Sequence, residues 1–155
     1  MRIDLLNTTT LKALPWGGDV RAVLAAALDA VDPQPAVLRL LQQDSAIAEA
    51  LAAGRRVLAV GAGKAAYPMA LALEQALGSR LAGGLVVTKD GHIPSPNELS
   101  SIQIVEAGHP LPDGRGVQAA QQISDMLQEA GPDDLVICLI SGGGSALLTA
   151  PAPGI

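Results

Sequence analysis

The stretch RVLAVGAGKAA, residues 56–66, decides how the chain reads. Its first half, Arg56 to Val60, is a continuous apolar run of the kind a parallel strand shows when both of its faces are covered. Gly61, Ala62 and Gly63 make a turn. An Ala- and Leu-rich helix then runs from about Lys64 to Leu77, closed by Gly78.

Outward from this unit the alternation repeats. Leu85 to Thr88 reads as a second strand, and DGHIPSPNELSS, residues 90–101, has turn residues and no helical period, so it is a loop. Ile102 to Val105 is a third strand. Asp113 then caps a helix to about Ala130, with Val117, Ala120, Ile123 and Leu127 on its buried side, and Gly131-Pro132 stops it. Leu135 to Ile140 is the fourth and most apolar strand. This order predicts an α/β, Rossmann-like domain over residues 55–155, with a mostly parallel sheet and flanking helices. The loop between the second and third strands is short for a crossover, so that pair is expected to be antiparallel or non-adjacent.

Residues 1–54 read as a helical lead-in. DVRAVLAAALDAV, residues 19–31, places Val20, Val23, Leu24, Ala27, Leu28 and Val31 on one face, with Asp19 as N-cap. A second helix starts at Asp32-Pro33 and carries Val37, Leu38 and Leu41; a third, from about Ser45 to Ala53, ends at Gly54. The lone aromatics Trp16 and Tyr67 are expected to serve packing.

Composition narrows the function. The 155 residues suffice for one ordinary domain, and 49% hydrophobic against 16% charged residues exclude disorder. With a net charge of −5, scattered Lys and Arg and two aromatic residues in all, nucleic acid is not an expected partner. A single cysteine, Cys138, placed in a strand expected to be buried, rules out a disulfide framework or a zinc cluster and suits a reducing cytoplasm. The N-terminus lacks a signal-peptide pattern and no apolar run is long enough for a membrane span. The expectation is a cytoplasmic protein off the membrane, with its oligomeric state open.

Ligands of open α/β sheets bind beyond the carboxyl ends of the strands. Four segments meet there: Gly61 to Lys64, Lys89 to His92, Glu106 to Pro110, and Ser141 to Ser145. Gly61 and Gly63 either expose amides to an anion or permit close packing. Lys64, at a helix N-terminus, opposes the helix dipole, which calls for a functional reason. VGAGKAA is not a Walker A loop, since Leu58 and Ala65 stand where that motif needs Gly and Ser or Thr; it does match G-x-G-x-x-A. SGGGS, from Ser141 through Gly142, Gly143 and Gly144 to Ser145, is the stronger signal, because glycines cost about 1 kcal/mol each relative to alanine and amides ringed by hydroxyls suit phosphate or carboxylate. Leu147 excludes the hydrolase elbow G-x-S-x-G. His109, on a loop stiffened by Pro110 and Pro112, either binds a ligand or is satisfied by backbone carbonyls; His92 is expected on the solvated surface. Asp90, Glu106 and Asp113 are the carboxylates nearest a potential Mg²⁺, without metal-ligand spacing.

The stretches VGAGKAAYPMA, GLVVTKDGH, EAGHPLPDGRGVQAA and DDLVICLISGGGSALL resemble, in order, those of the class II glycerate 2-kinases, the MOFRL/DUF4147 family, whose members often carry a hydroxypyruvate reductase name. The resemblance covers about residues 54–150. It implies ATP-dependent phosphorylation of D-glycerate to 2-phosphoglycerate with Mg²⁺, in a cleft between a Rossmann-like domain and a C-terminal domain. It further implies that Lys64 is catalytic, that Ser141 to Ser145 cradle phosphate or substrate, and that His109 joins them. Because members of this family are much longer, the resemblance also marks the chain as an N-terminal fragment, expected to be inactive alone. Two alternatives stay open: an NAD(P)H-dependent hydroxypyruvate reductase, favoured by G-x-G-x-x-A, and a non-catalytic sugar-phosphate-binding module.

Overall fold

Strand β1 (Val57–Ala62) is buried at every position, and the rest of the domain is arranged around it. The structure, a computed structural model, describes residues 6–152 and Gly154. The first five residues of the predicted lead-in therefore lie outside the described residues. β1 is flanked by β2 (Leu81–Lys89) and β4 (Leu135–Ile140), and β3 (Ile102–Ala107) adds beyond β2, giving the order β3-β2-β1-β4 with every pair parallel.

The continuous apolar run of β1 follows from having two covered faces. Val57 and Ala59 join the core beneath α5 (Ala66–Leu77), with Ala70, Leu73 and Val86; Val60 and Ala62 join a second core beneath α6 (Gly114–Gln128), with Val87, Ala119 and Ile123. Full burial of Leu73 alone contributes about 2 kcal/mol. Gly78 ends α5 with φ 52°, a conformation that favours glycine. Asp113 caps α6 by accepting from the amides of Arg115 and Gly116. The buried side of α6 is Gly116, Ala119 and Ile123; Val117 and Leu127, expected inside, are 42% and 37% exposed.

The β2–β3 pair departs from the sequence expectation: the strands are adjacent and parallel. Their connection needs no helix of its own because it runs along α5. The Glu74 carboxylate accepts the amides of Ser100 at 2.7 Å and of Ser101 and Ile102 at 3.0 Å, and the Tyr67 hydroxyl accepts the amide of Glu98 at 3.0 Å. Burial pushes the Glu74 carboxyl up, but the Ser100 hydroxyl and these amides outweigh it, and the group sits below its usual range. Tyr67 is buried as expected, whereas Trp16 is 54% exposed.

The lead-in contains α1 (Thr9–Ala13), α2 (Gly17–Ala30), α3 (Pro33–Gln43) and α4 (Ser45–Ala52). Asp32 caps α3 with proline at its start, as its sequence indicates, and Val37 seats α3 on the α5 core. In α2, Trp16 occupies the N-cap position and Asp19 lies in the first turn. The predicted apolar face of α2 is also not its buried one: Val23, Leu24, Leu28 and Val31 are exposed, and Gly17 and Ala25 are buried. At its start α2 approaches α1 closely, since a Cβ on Gly17 would lie 1.6 Å from the Leu11 carbonyl oxygen. Among the described residues no helix is long and apolar enough to cross a membrane.

Candidate active site

All four strands are parallel, so the segments following them emerge on one edge of the sheet. The loop after β1 and the loop after β4 are stitched together there. The Gly63 amide donates to the Val87 carbonyl at 3.0 Å, the Lys64 amide to the Gly142 carbonyl at 2.9 Å, and the Ala66 amide to the Gly63 carbonyl at 3.0 Å. The Ala65 amide donates to Ser141 Oγ at 3.0 Å. Ser141 is therefore a clamp between the loops.

Gly61 and Gly63 are required by this close contact. A Cβ on Gly61 would meet the Leu139 carbonyl oxygen at 2.0 Å; one on Gly63, whose φ is +140°, would meet Ser141 Oγ at 2.1 Å. The turn thus has a packing reason for both glycines. Its amides from Gly63 to Ala66 already have protein acceptors, so they do not form an open anion cradle.

The glycine loop is different. The Ser141 amide donates to Ala62, but among the described residues no protein acceptor meets the amides of Gly142, Gly143, Gly144 or Ser145. Gly143, at φ +89°, precedes the short helix α7 (Gly144–Leu147), whose Leu147 is fully buried and anchors the loop to the α6-side core. Both Lys64 and His109 lie against Gly143. A Cβ there would come within 3.1 Å of Lys64 Cε and 2.9 Å of His109 Nε2. The structure thus brings together Lys64, His109 and the glycine loop; Ser145 is exposed at its end.

The neighbouring loops are pinned by charge. Arg115 reaches Asp90 through two contacts, at 2.6 and 2.8 Å, and Asp113 at 2.6 Å. Hydrogen bonding to this guanidinium holds the Asp90 and Asp113 carboxyls below their usual range, and the two carboxylates push the Arg115 pKa further up. Glu106 Oε1 accepts the amides of Gly91 at 2.8 Å and Ile93 at 3.4 Å. His92 is exposed as expected, but its Nδ1 contacts the Lys64 carbonyl oxygen at 3.2 Å. Neither this contact nor the role of Arg115 is visible in the sequence; the nearest signal is the adjacency of β1 and β2, which brings their following loops side by side.

Next to the glycine loop, a cavity of about 500 Å³ lies along β4, walled by Val60, Ile123, Cys138 and Ile140. Cys138 is exposed, contrary to the expected burial, because β4 is an edge strand and this cavity, not a packed side chain, lies between its Cys138–Ile140 face and Ile123 of α6.

A family model described as a domain of unknown function, DUF4147, matches residues 19–155. The chain belongs to the DUF4147 family. Its relatives within and around that family carry enzyme names. A protein named D-glycerate 2-kinase from Thermotoga maritima is 39% identical over 100 residues, 64% of this chain and 25% of the relative. A protein from Agrobacterium vitis with a provisional hydroxypyruvate reductase name is 48% identical over 101 residues, again 64% of this chain and 25% of the relative. The crystal structure of Thermotoga maritima glycerate kinase superposes with a TM-score of 0.73 at 34% identity, covering 86% of this chain and 30% of that one. A Pyrococcus horikoshii structure superposes with a TM-score of 0.74 at 32% identity, covering 92% and 33%. This DUF4147 chain therefore spans between a quarter and a third of the length of these relatives.

Proposed function

We propose that this chain carries the phosphate-handling part of a D-glycerate 2-kinase, which transfers the terminal phosphoryl group of ATP to the 2-hydroxyl of D-glycerate and releases 2-phosphoglycerate and ADP. The observation that carries the reading is the run of four amides, Gly142 to Ser145, without protein acceptors and beside Lys64 and His109. Phosphoryl transfer asks a protein mainly to position oxygens and neutralise spreading charge. Lys64 supplies the full positive charge, the glycine-loop amides supply the cradle, and His109 lies against the same loop. Gly61, Gly63 and Ser141 hold the cradle in place by packing and clamping. ATP use and a lone free cysteine suit a cytoplasmic setting.

The carboxylates of this edge form no ready-made metal cage, so a Mg²⁺ ion would be held here chiefly by the phosphates of ATP. Asp90 and Asp113 are engaged by Arg115 and Glu106 by two amides, and among the described residues no group of three His, Cys, Asp or Glu can hold a metal. The occupied amides of Gly63 to Ala66 favour the kinase over a dinucleotide-dependent reductase, because a pyrophosphate at G-x-G-x-x-A needs those donors free.

D-glycerate-dependent ADP release, measured by a coupled assay on a polypeptide joining these residues to the remainder found in the relatives, tests the reading. Lys64→Ala should lower kcat about a hundredfold, the scale of losing one electrostatic stabiliser. An unimpaired Lys64→Ala enzyme, or nicotinamide oxidation with hydroxypyruvate in the absence of ATP, would overturn it.

A further inference from the structure

The turn from Asp90 to Ile93 is tied to three separate elements by consecutive residues. Asp90 holds Arg115 at the start of α6. The amides of Gly91 and Ile93 donate to one oxygen of Glu106 at the end of β3. His92, between those two amides, reaches across to the Lys64 carbonyl oxygen with Nδ1 at 3.2 Å.

Chemistry fixes the sense of the last contact. A carbonyl oxygen only accepts, so His92 Nδ1 carries the hydrogen and donates. Nδ1 is protonated in this tautomer of the neutral ring and in the cationic ring alike, so the contact persists in both charge states. On its other side, Lys64 donates its amide to Gly142 at 2.9 Å. Both peptide groups of Lys64 are thereby held, one by the glycine loop and one by His92, although the side chain itself is exposed.

We propose that His92 is a positioning residue for Lys64, itself set by Glu106. The inference rests on Lys64 belonging to the phosphate site. Glu106 fixes the turn, the turn delivers the imidazole, and the imidazole holds the Lys64 peptide so that its side chain rises from a fixed backbone beside Gly143. Long lysine stems have many rotamers, and a fixed base limits where the ammonium can go.

The test compares His92→Ala, which removes the donor, with His92→Asn, whose side-chain amide nitrogen sits about where Nδ1 does. Amide hydrogen exchange by NMR on the 155-residue protein reads how firmly the Lys64 peptide is held. In His92→Ala the Lys64 and Ala65 amides keep their own acceptors, the Gly142 carbonyl and Ser141 Oγ, but should exchange about tenfold faster because the Lys64 peptide, having lost one hydrogen bond at its carbonyl, opens locally more often, while Val60 in β1 is unchanged. His92→Asn should restore most of the protection, and Glu106→Ala should reproduce His92→Ala. Unchanged exchange at Lys64 in His92→Ala, or no rescue by asparagine, overturns the proposal.

Calorimetric titration with inorganic triphosphate separates this result from the functional reading. The wild type and His92→Asn should bind alike, and His92→Ala about tenfold more weakly, again the worth of one hydrogen bond. Exchange results as expected without triphosphate binding by the wild type would overturn the phosphate site and leave the clamp standing. Triphosphate binding equal in all three would overturn the positioning role.

Discussion

Replacing Gly61 by alanine puts a methyl carbon 2.0 Å from the Leu139 carbonyl oxygen and 2.8 Å from its carbon. Ordinary contact begins near 3.4 Å, so β1 and β4 would have to separate by about 1.4 Å at the point where Gly61 faces Leu139. β1 cannot yield toward its other side, because β2 is hydrogen-bonded there. Overpacking of this kind costs about 1–3 kcal/mol. Weakening one or two ladder hydrogen bonds adds about 0.5–1.5 kcal/mol each. The expected loss is therefore about 1.5–6 kcal/mol, a sizeable share of the roughly 5–15 kcal/mol that holds a domain folded. Urea denaturation followed by circular dichroism reads this as a midpoint lower by about 0.8–3 M at a slope near 2 kcal/mol/M. Gly142→Ala is the control: nothing lies within 4 Å of its Cβ, and stability should stay within about 0.5 kcal/mol. A Gly61→Ala midpoint within about 0.3 M of wild type would refute the claim that packing dictates this glycine.

Leu147→Ala should cost about 2–5 kcal/mol by leaving a cavity in the α6-side core, and exchange of the glycine-loop amides should rise with it. Stability should fall under acid conditions. Asp134, held low mainly by the Arg56 hydrogen bond, and Glu74 both have folded pKa values below their unfolded ones, so their contributions are complete above about pH 4–5 and are lost as pH falls through the folded values. A melting temperature that stays level or rises from pH 5 to pH 2.5 would contradict this sign. Tyr67→Phe removes the acceptor for Glu98 and should cost about 1 kcal/mol in denaturant unfolding. Cys138 should react fully with a thiol reagent in the native protein; protection until unfolding would contradict its exposure.

The four strands are legible because each is an apolar run bounded by turn residues, and Leu135–Ile140 matches β4 to the residue. The parallel pairing of β2 with β3 is not legible, because the connection borrows α5 as its cover through Glu74 and Tyr67, contacts too distant in sequence to leave a periodic mark. The buried face of α2 misleads for another reason: the helix is apolar around much of its circumference, so spacing alone does not single out the side with Gly17 and Ala25. At the candidate site, that Lys64, His109 and the glycine loop share one edge follows from their places just after parallel strands. The difference between the two glycine loops does not. Close packing and amide exposure both select glycine, and only the hydrogen-bond partners tell Gly63 from Gly143.

β4 has a consequence for how this protein behaves in a tube. Its outer edge has no neighbour among the described residues, its six residues carry no charge, and Ile140 is 73% exposed. An edge with neither charge, proline nor bulge to blunt it is a template for a strand from another molecule. At high concentration these 155 residues should therefore self-associate through the sheet edge, and Ile140→Lys is the substitution that should keep them dispersed for crystallisation or NMR.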